Sequence, residues 1–289
     1  MAYSVLGNSI NRLLIGKAYW KGAVIPKLLH GSDVVYFTQN ELDKFQTIEN
    51  KTYRTILQVP RFTANEFLRG EIGASSAKSR DIKNKISFLK HALKEGGNSL
   101  LKEIMRLEIL KCGTIWMKNT KKYIDEVGLT FNDIQFLTMD IIKKKINDLD
   151  TKVWMDGIEG KTTLELYRNK NSIEEVGWFR NSFKFTIMMR ARSNTLELGW
   201  RNWSSDETKI CKMCNLEVET LQHFLLDCNA LQCYRNKYTC LQLPRKMDTR
   251  DILCEILIFK NVYEESPYYY VDMIDNLWRA RKGILGNNQ

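Results

Sequence analysis

Histidine and proline are both scarce in this chain, with three of the first and four of the second among 289 residues. The prolines stand at 26, 60, 244 and 267, so long stretches are free of the residue that most strongly interrupts a helix. No Gly/Ser-rich linker, low-complexity tract or internal repeat divides the sequence. Strand-like patterns are few, and FKFTIMMRARS (183–193) is the most ambiguous of them. No run of eighteen apolar residues occurs, so no segment reads as a membrane span. The opening MAYSVLGNSINRLLIGKAYWKG does not read as a signal peptide, because Asn8, Asn11 and Arg12 interrupt its apolar stretch early.

What is present is enough to bury a core. Hydrophobic residues make up 44% and aromatics 11%, well above a disordered composition. Lys and Arg outnumber Asp and Glu by 44 to 34, for a formal net charge of +10. That balance favours an anionic partner, nucleic acid first and an anionic membrane surface second. Seven cysteines stand at 112, 211, 214, 228, 233, 240 and 254. An odd number without a leader argues against a disulfide framework and for a reducing, intracellular location, nucleus or cytoplasm.

Periodicity points to a mostly α protein. Thr38-Gln-Asn-Glu41 has the form of a capping box, and Leu42, Phe45, Tyr53, Ile56 and Leu57 then share one side of a helix that Pro60 ends. In RDIKNKISFLKHALKEGG (80–97) the stripe is Ile82, Ile86, Leu89 and Leu93, stopped by Gly96-Gly97. Lys83, Lys85, Lys90 and Lys94 are expected mainly on its solvated faces. SLLKEIMRLEILK (99–111), FNDIQFLTMDIIKKKINDL (131–149) and YVDMIDNLWRARKGIL (270–285) give further helical patterns.

Cys211 and Cys214 form a C-x2-C pair, followed by His223 and Cys228, so that CKMCNLEVETLQHFLLDC reads C-x2-C-x8-H-x4-C. Two thiolates at this spacing can converge on one cation from a tight turn, and Asn215 can take the left-handed conformation such a turn uses. Three sulfurs and one imidazole suit a tetrahedral, structural Zn²⁺ with no position left for water. A five-residue separation turns His223 and Cys228 about 140° apart on a regular α-helix, so the helix is expected to end or loosen near Cys228. Cys233 is a spare thiol that can replace Cys228 as fourth ligand. The competing reading is four small buried apolar side chains.

With that spacing, the surrounding segments resemble the C-terminal region of reverse transcriptases of non-LTR (LINE-type) retrotransposons. AYWKGAVIPKLLHGSDV (18–34) and ELDKFQTIENKTYRTILQVPRFTANEFLRGEIG (41–73) look like the family's thumb; GKTTLELYRNK (160–170) and RARSNTLELGWRNW (190–203) resemble the connector that leads into its zinc-binding segment. The resemblance implies a thumb-like helical region over 1–110, a helical connector over 111–203, a CCHC zinc-binding module over 204–240 and a C-terminal helical tail over 241–289. It also implies a protein that holds RNA or an RNA–DNA hybrid. The family's palm carries adjacent aspartates for two-metal polymerisation; no Asp-Asp occurs here, so the chain reads as a fragment not expected to polymerise alone. The alternative reading is a zinc-stabilised protein–protein interaction module, or a truncated remnant without function.

Other candidates read as structure. The pairs Glu174-Glu175 and Glu264-Glu265 sit in polar stretches, and His30 and His91 have no identifiable nucleophile partner. Trp200 and Trp203 either stack on bases or pack the helical body against the zinc module, the second reading being preferred. Trp20 and Trp278 are assigned to the core.

Overall fold

The computed structural model describes residues 12–94, 96–175, 184–201, 207–238, 248–259 and 266–286. The chain is mostly helical, and the single β pairing among the described residues is an antiparallel bridge between Ile210 and Val218. Helix α1 (Arg12–Tyr19) runs through a π turn (Trp20–Val24) into one further turn at Ile25–Leu28. Helix α2 (Gln39–Leu57) begins where the capping box predicts: Thr38 Oγ1 accepts from the amide of Glu41, and the Glu41 carboxylate accepts from the amide of Thr38. It ends at Gln58, which is left-handed at φ 55°.

Short connections lead to α3 (Asn65–Ile72), α4 (Ala77–Leu93), α5 (Ser99–Lys111) and α6 (Ile115–Glu126). The single pattern expected over 131–149 is two helices, α7 (Phe131–Phe136) and α8 (Met139–Glu159). Leu137 and Thr138 are extended between them, and Thr138 stands at the N-cap of the second. The ambiguous stretch at 183–193 is helical as α9 (Lys184–Arg192); Phe183 lies outside the described residues. Helices α10 (Thr249–Ile258) and α11 (Pro267–Gly286) follow the metal-ligand segment.

Two apolar cores form, with α8 passing from one to the other. Along it, residues 142, 146, 150, 154 and 158 are all buried, four apart. Ile142 and Ile146 join Ile82, Ile86 and Leu89 of α4 and Met117, Tyr123 and Ile124 of α6. Trp154 and Ile158 join the larger core, which holds Tyr53 and Ile56 of α2, Phe67 and Leu68 of α3, Met188 and Met189 of α9, and Ile274 and Leu277 of α11. A residue every fourth position drifts about 40° round the helix per step, which carries the stripe from one core to the other. Between the halves sits Asp150, which accepts twice from Arg69 at 2.9 Å and from the amide and hydroxyl of Ser76 at the start of α4.

Lys85 does not lie on the solvated side of α4. It is fully buried and paired with Asp81 one turn earlier, donates to Ser32 O at 3.1 Å and stands over the Phe37 and Tyr123 rings. Lys83 and Lys94 are exposed as expected, while half-buried Lys90 donates to the carbonyls of Ile134 and Gln135 at the end of α7, a favourable place for a cation. A second buried group surrounds Glu71, whose Oε1 accepts from Arg192 and from the Tyr167 hydroxyl, both at 2.8 Å, with Lys170 at 3.5 Å.

Candidate metal centre

The metal-ligand segment opens as a narrow two-sided loop. The amide of Cys211 donates to Glu217 O at 2.7 Å, and that of Glu219 donates to Lys209 O at 2.8 Å across the Ile210–Val218 bridge. The tip closes where Asn215 donates to Cys211 O at 2.7 Å. Asn215 is left-handed at φ 56°, as the C-x2-C-N order predicts. This turn aims backbone N–H groups at sulfur: the Cys211 thiol receives those of Met213 and Cys214, and the Cys214 thiol those of Leu216 and Glu217.

The other two ligands come from the segment that follows. Thr220 caps it by accepting from the His223 amide at 3.0 Å. From His223 to Asp227 the backbone widens into a π turn, in which the Cys228 amide donates to His223 O at 2.8 Å. This is the loosening expected from the sequence, with a definite form. The i→i+5 bond of a π turn brings residues five apart to one side, where an α-helix would separate them by about 140°.

Cys211, Cys214, His223 and Cys228 converge, and their ligand atoms all lie within 4.8 Å of one another. The two sulfurs of Cys211 and Cys228 stand 3.8 Å apart, far beyond a disulfide bond. Cys214 Sγ is 3.4 Å from His223 Nε2. His223 Nδ1 faces a Glu217 carboxylate oxygen at 3.2 Å; because the carboxylate only accepts, Nδ1 carries the proton and Nε2 turns its lone pair to the cluster. The group can hold a metal ion. Cys233 is exposed on the following helical turn (Gln232–Arg235) and is not part of it; Cys240 lies outside the described residues.

Cys211 and Cys228 are fully buried, His223 nearly so, and Cys214 half-buried. Burial pushes the Cys211 thiol up to about 12 and raises that of Cys228 as well. Burial acts in the same sense on Cys214, but the N–H donors of Leu216 and Glu217 and the neighbouring thiols outweigh it, and its thiol titrates below the ordinary value. A cation is the group that can stabilise several thiolates together in so enclosed a place. The four side chains together offer one donor atom each, as many as a tetrahedral ion takes.

The segment is fastened to the rest of the chain at several points. Leu221, Phe224, Leu225 and Leu231 lie in the larger core, with Phe224 edge-on to Trp278 of α11 at 5.9 Å. Buried Glu219 receives both Nε and Nη2 of Arg281, at 2.6 and 2.8 Å, and the amide of Gly199 at 2.7 Å. Gly199 is needed there, because a Cβ would come 2.6 Å from Lys209 O. Trp200 is half-buried against the same core and donates its amide to Glu219 O at 3.3 Å, which agrees with a packing role. Trp203 lies outside the described residues, as do Glu264 and Glu265.

Glu217 and Glu219 are the site residues that spacing alone did not mark. No local signal marked them: on a regular extended stretch carboxylates two residues apart share a side, whereas here one meets the histidine and the other Arg281. His30 and His91 are exposed, and partly exposed Glu175 pairs with buried Lys17 and exposed Lys21. No family model, curated protein or solved structure matches the chain. Among the described residues, no helix is long and apolar enough to cross a membrane.

Proposed function

We propose that this chain is a nucleic-acid-binding module, akin to the thumb, connector and zinc-binding region of a LINE-type reverse transcriptase. In this reading it holds RNA or an RNA–DNA hybrid through the backbone, and zinc fixes the shape of its C-terminal part. The observation that carries the reading is the convergence of Cys211, Cys214, His223 and Cys228, taken with flanking segments that resemble that family's. Zinc is supported by the donor set and its size. Zn–S of about 2.3 Å and Zn–N of about 2.0–2.1 Å give tetrahedral edges of about 3.8 and about 3.6 Å, against 3.8 and 3.4 Å here. A net charge of +10 supports an anionic partner, and exposed Lys118 and Lys121 on α6 and Lys144 and Lys145 on α8 belong to that excess.

The test has two parts. Elemental analysis of protein purified under reducing conditions should find one zinc per chain, and none in Cys211→Ser/His223→Ala. Binding of a labelled RNA–DNA hybrid, followed by anisotropy over a salt series, should weaken steeply as salt rises. Affinity that barely responds to salt, or no hybrid binding by zinc-loaded protein, would refute the reading.

One observation favours the second reading, a protein-interaction module. Helix α5 buries none of its residues, and Leu100, Ile104, Leu107 and Leu110 are 69%, 44%, 45% and 81% exposed. An Ile104→Lys/Leu107→Lys variant that bound hybrid normally but lost self-association, measured by sedimentation, would support that reading.

A further inference from the structure

The metal loop, α11 and the stretch between α2 and α3 enclose a cavity of about 600 Å³, within the roughly 300–1,000 Å³ typical of small-ligand sites. Phe62, Leu198, Arg201, Lys212, Arg281 and Leu285 supply much of its wall. We propose that this cavity takes one unstacked nucleotide of a single-stranded nucleic acid, with its base against Phe62 and its phosphate between Arg201 and Lys212. The inference rests on the nucleic-acid reading above and assigns that reading a specific pocket.

Three features support a nucleotide. First, Phe62 borders the cavity and is 59% exposed, which leaves ring surface open to a ligand. The Arg201 guanidinium stands over the Phe62 ring, 4.5 Å from its centroid, and over that of Trp200 at 5.1 Å, so a stacked cation–aromatic surface is already assembled. Bases stack on such surfaces with little regard to sequence. Second, the charges do not cancel. The Glu219 carboxylate is taken up by Arg281 and the Gly199 amide, and Glu197 is 79% exposed beside Arg190. Arg201, one of whose nitrogens donates to Asn194 O, and Lys212 line the cavity, and Lys212 has no ion pair among the described residues. Third, Leu198, Ile210 and Leu285 give the wall an apolar part, beside Thr195 and Thr208, which suits a ring that has left its stack. A base within a duplex cannot enter without flipping out, so the cavity should distinguish single strands from hybrids.

The experiment uses the full zinc-loaded chain and two labelled probes, a 12-nucleotide single-stranded RNA and a blunt RNA–DNA hybrid of the same sequence. Phe62→Ala should weaken the single strand about tenfold and leave the hybrid within about twofold. Phe62→Tyr, which keeps the ring, should bind as the parent does. Lys212→Ala should also weaken the single strand and lower its salt slope by about 0.7. An unchanged melting temperature in each variant shows that the fold is intact. Parent-like single-strand binding by both Phe62→Ala and Lys212→Ala, or equal losses on both probes, overturns the cavity while leaving the nucleic-acid reading standing. A parent chain that binds neither probe overturns both.

Discussion

Arg281→Met removes one side of the buried ion pair that fastens the metal segment to α11. The side chains of Glu219 and Arg281 are only 3% and 13% exposed, and the guanidinium meets the carboxylate through two hydrogen bonds. Methionine preserves most of the stem volume but removes the guanidinium, which also stands over the Trp278 ring at 5.0 Å, so the loss is chiefly electrostatic. It leaves a carboxylate in the interior with one remaining donor, the Gly199 amide. Stripping one partner from a buried pair costs about 3–5 kcal/mol. With an unfolding entropy of about 2.1 cal/mol/K per residue, 289 residues translate this into a melting temperature lower by roughly 5–8 °C. The check is urea and thermal unfolding of four proteins: parent, Arg281→Met, Glu219→Gln and the double variant. The double variant should recover more than half of the Arg281→Met loss, because glutamine still accepts from Gly199 and no charge is left buried. If Arg281→Met lies within about 1 kcal/mol of the parent, or the double variant is no better than the worse single one, the pair is not what holds the segment in place.

The other expectations concern the same region and its polar core. Cys233→Ser should retain metal against a chelator as the parent does, whereas Cys228→Ser should lose it, and Glu217→Ala should retain it about tenfold to a hundredfold less well; equal retention by all three would break the ligand assignment. Gly199→Ala places a methyl group 2.6 Å from a backbone oxygen and should destabilise by about 1–3 kcal/mol, read as a lower urea midpoint. Burial alone would raise the carboxyl of Glu71, but Arg192 and Lys170 outweigh it and hold it below the ordinary 4.5. A carboxyl depressed in the folded state stabilises above its unfolded value, and that contribution is lost as pH falls through the folded one. Glu71→Gln should therefore lower the urea midpoint at neutral pH and flatten its fall between about pH 6 and pH 3; parallel curves for the two proteins would refute this.

The parts that could be read in advance were those governed by local rules. Thr38 and Glu41 mark a helix start because each satisfies a donor of the other, an interaction confined to four residues. The convergence of Cys211, Cys214, His223 and Cys228 was legible for the same reason, since spacing and donor chemistry narrow the choice, and even the break in helical regularity before Cys228 followed from the angle between positions. Lys85 was not legible. On a helical wheel it lies beside the stripe rather than opposite it, and only Asp81, Tyr123 and the Ser32 carbonyl, two of them from other segments, make its burial tolerable. The boundary between α7 and α8 was hidden because Leu137 and Thr138 continue the apolar rhythm while Thr138 takes an extended conformation. The Glu219–Arg281 pair joins residues 62 apart, and no local pattern encodes a partner at that distance.

Helix α8 spans about 31 Å in its 21 residues and serves as a wall of both cores. Neither core can therefore be excised cleanly. A cut before Met139 would strip Ile142 and Ile146 from one, and a cut after Asp150 would part Trp154 and Ile158 from Tyr53, Phe67 and Leu68 of the other. Loss of order at the metal end would release half of the helix's anchorage, and the far core would feel it through a rod rather than through any side-chain relay. Amide hydrogen exchange along α8 should thus report the cooperativity of the whole molecule, with one protection level from end to end if the cores open together and a step near Asp150 if they open separately.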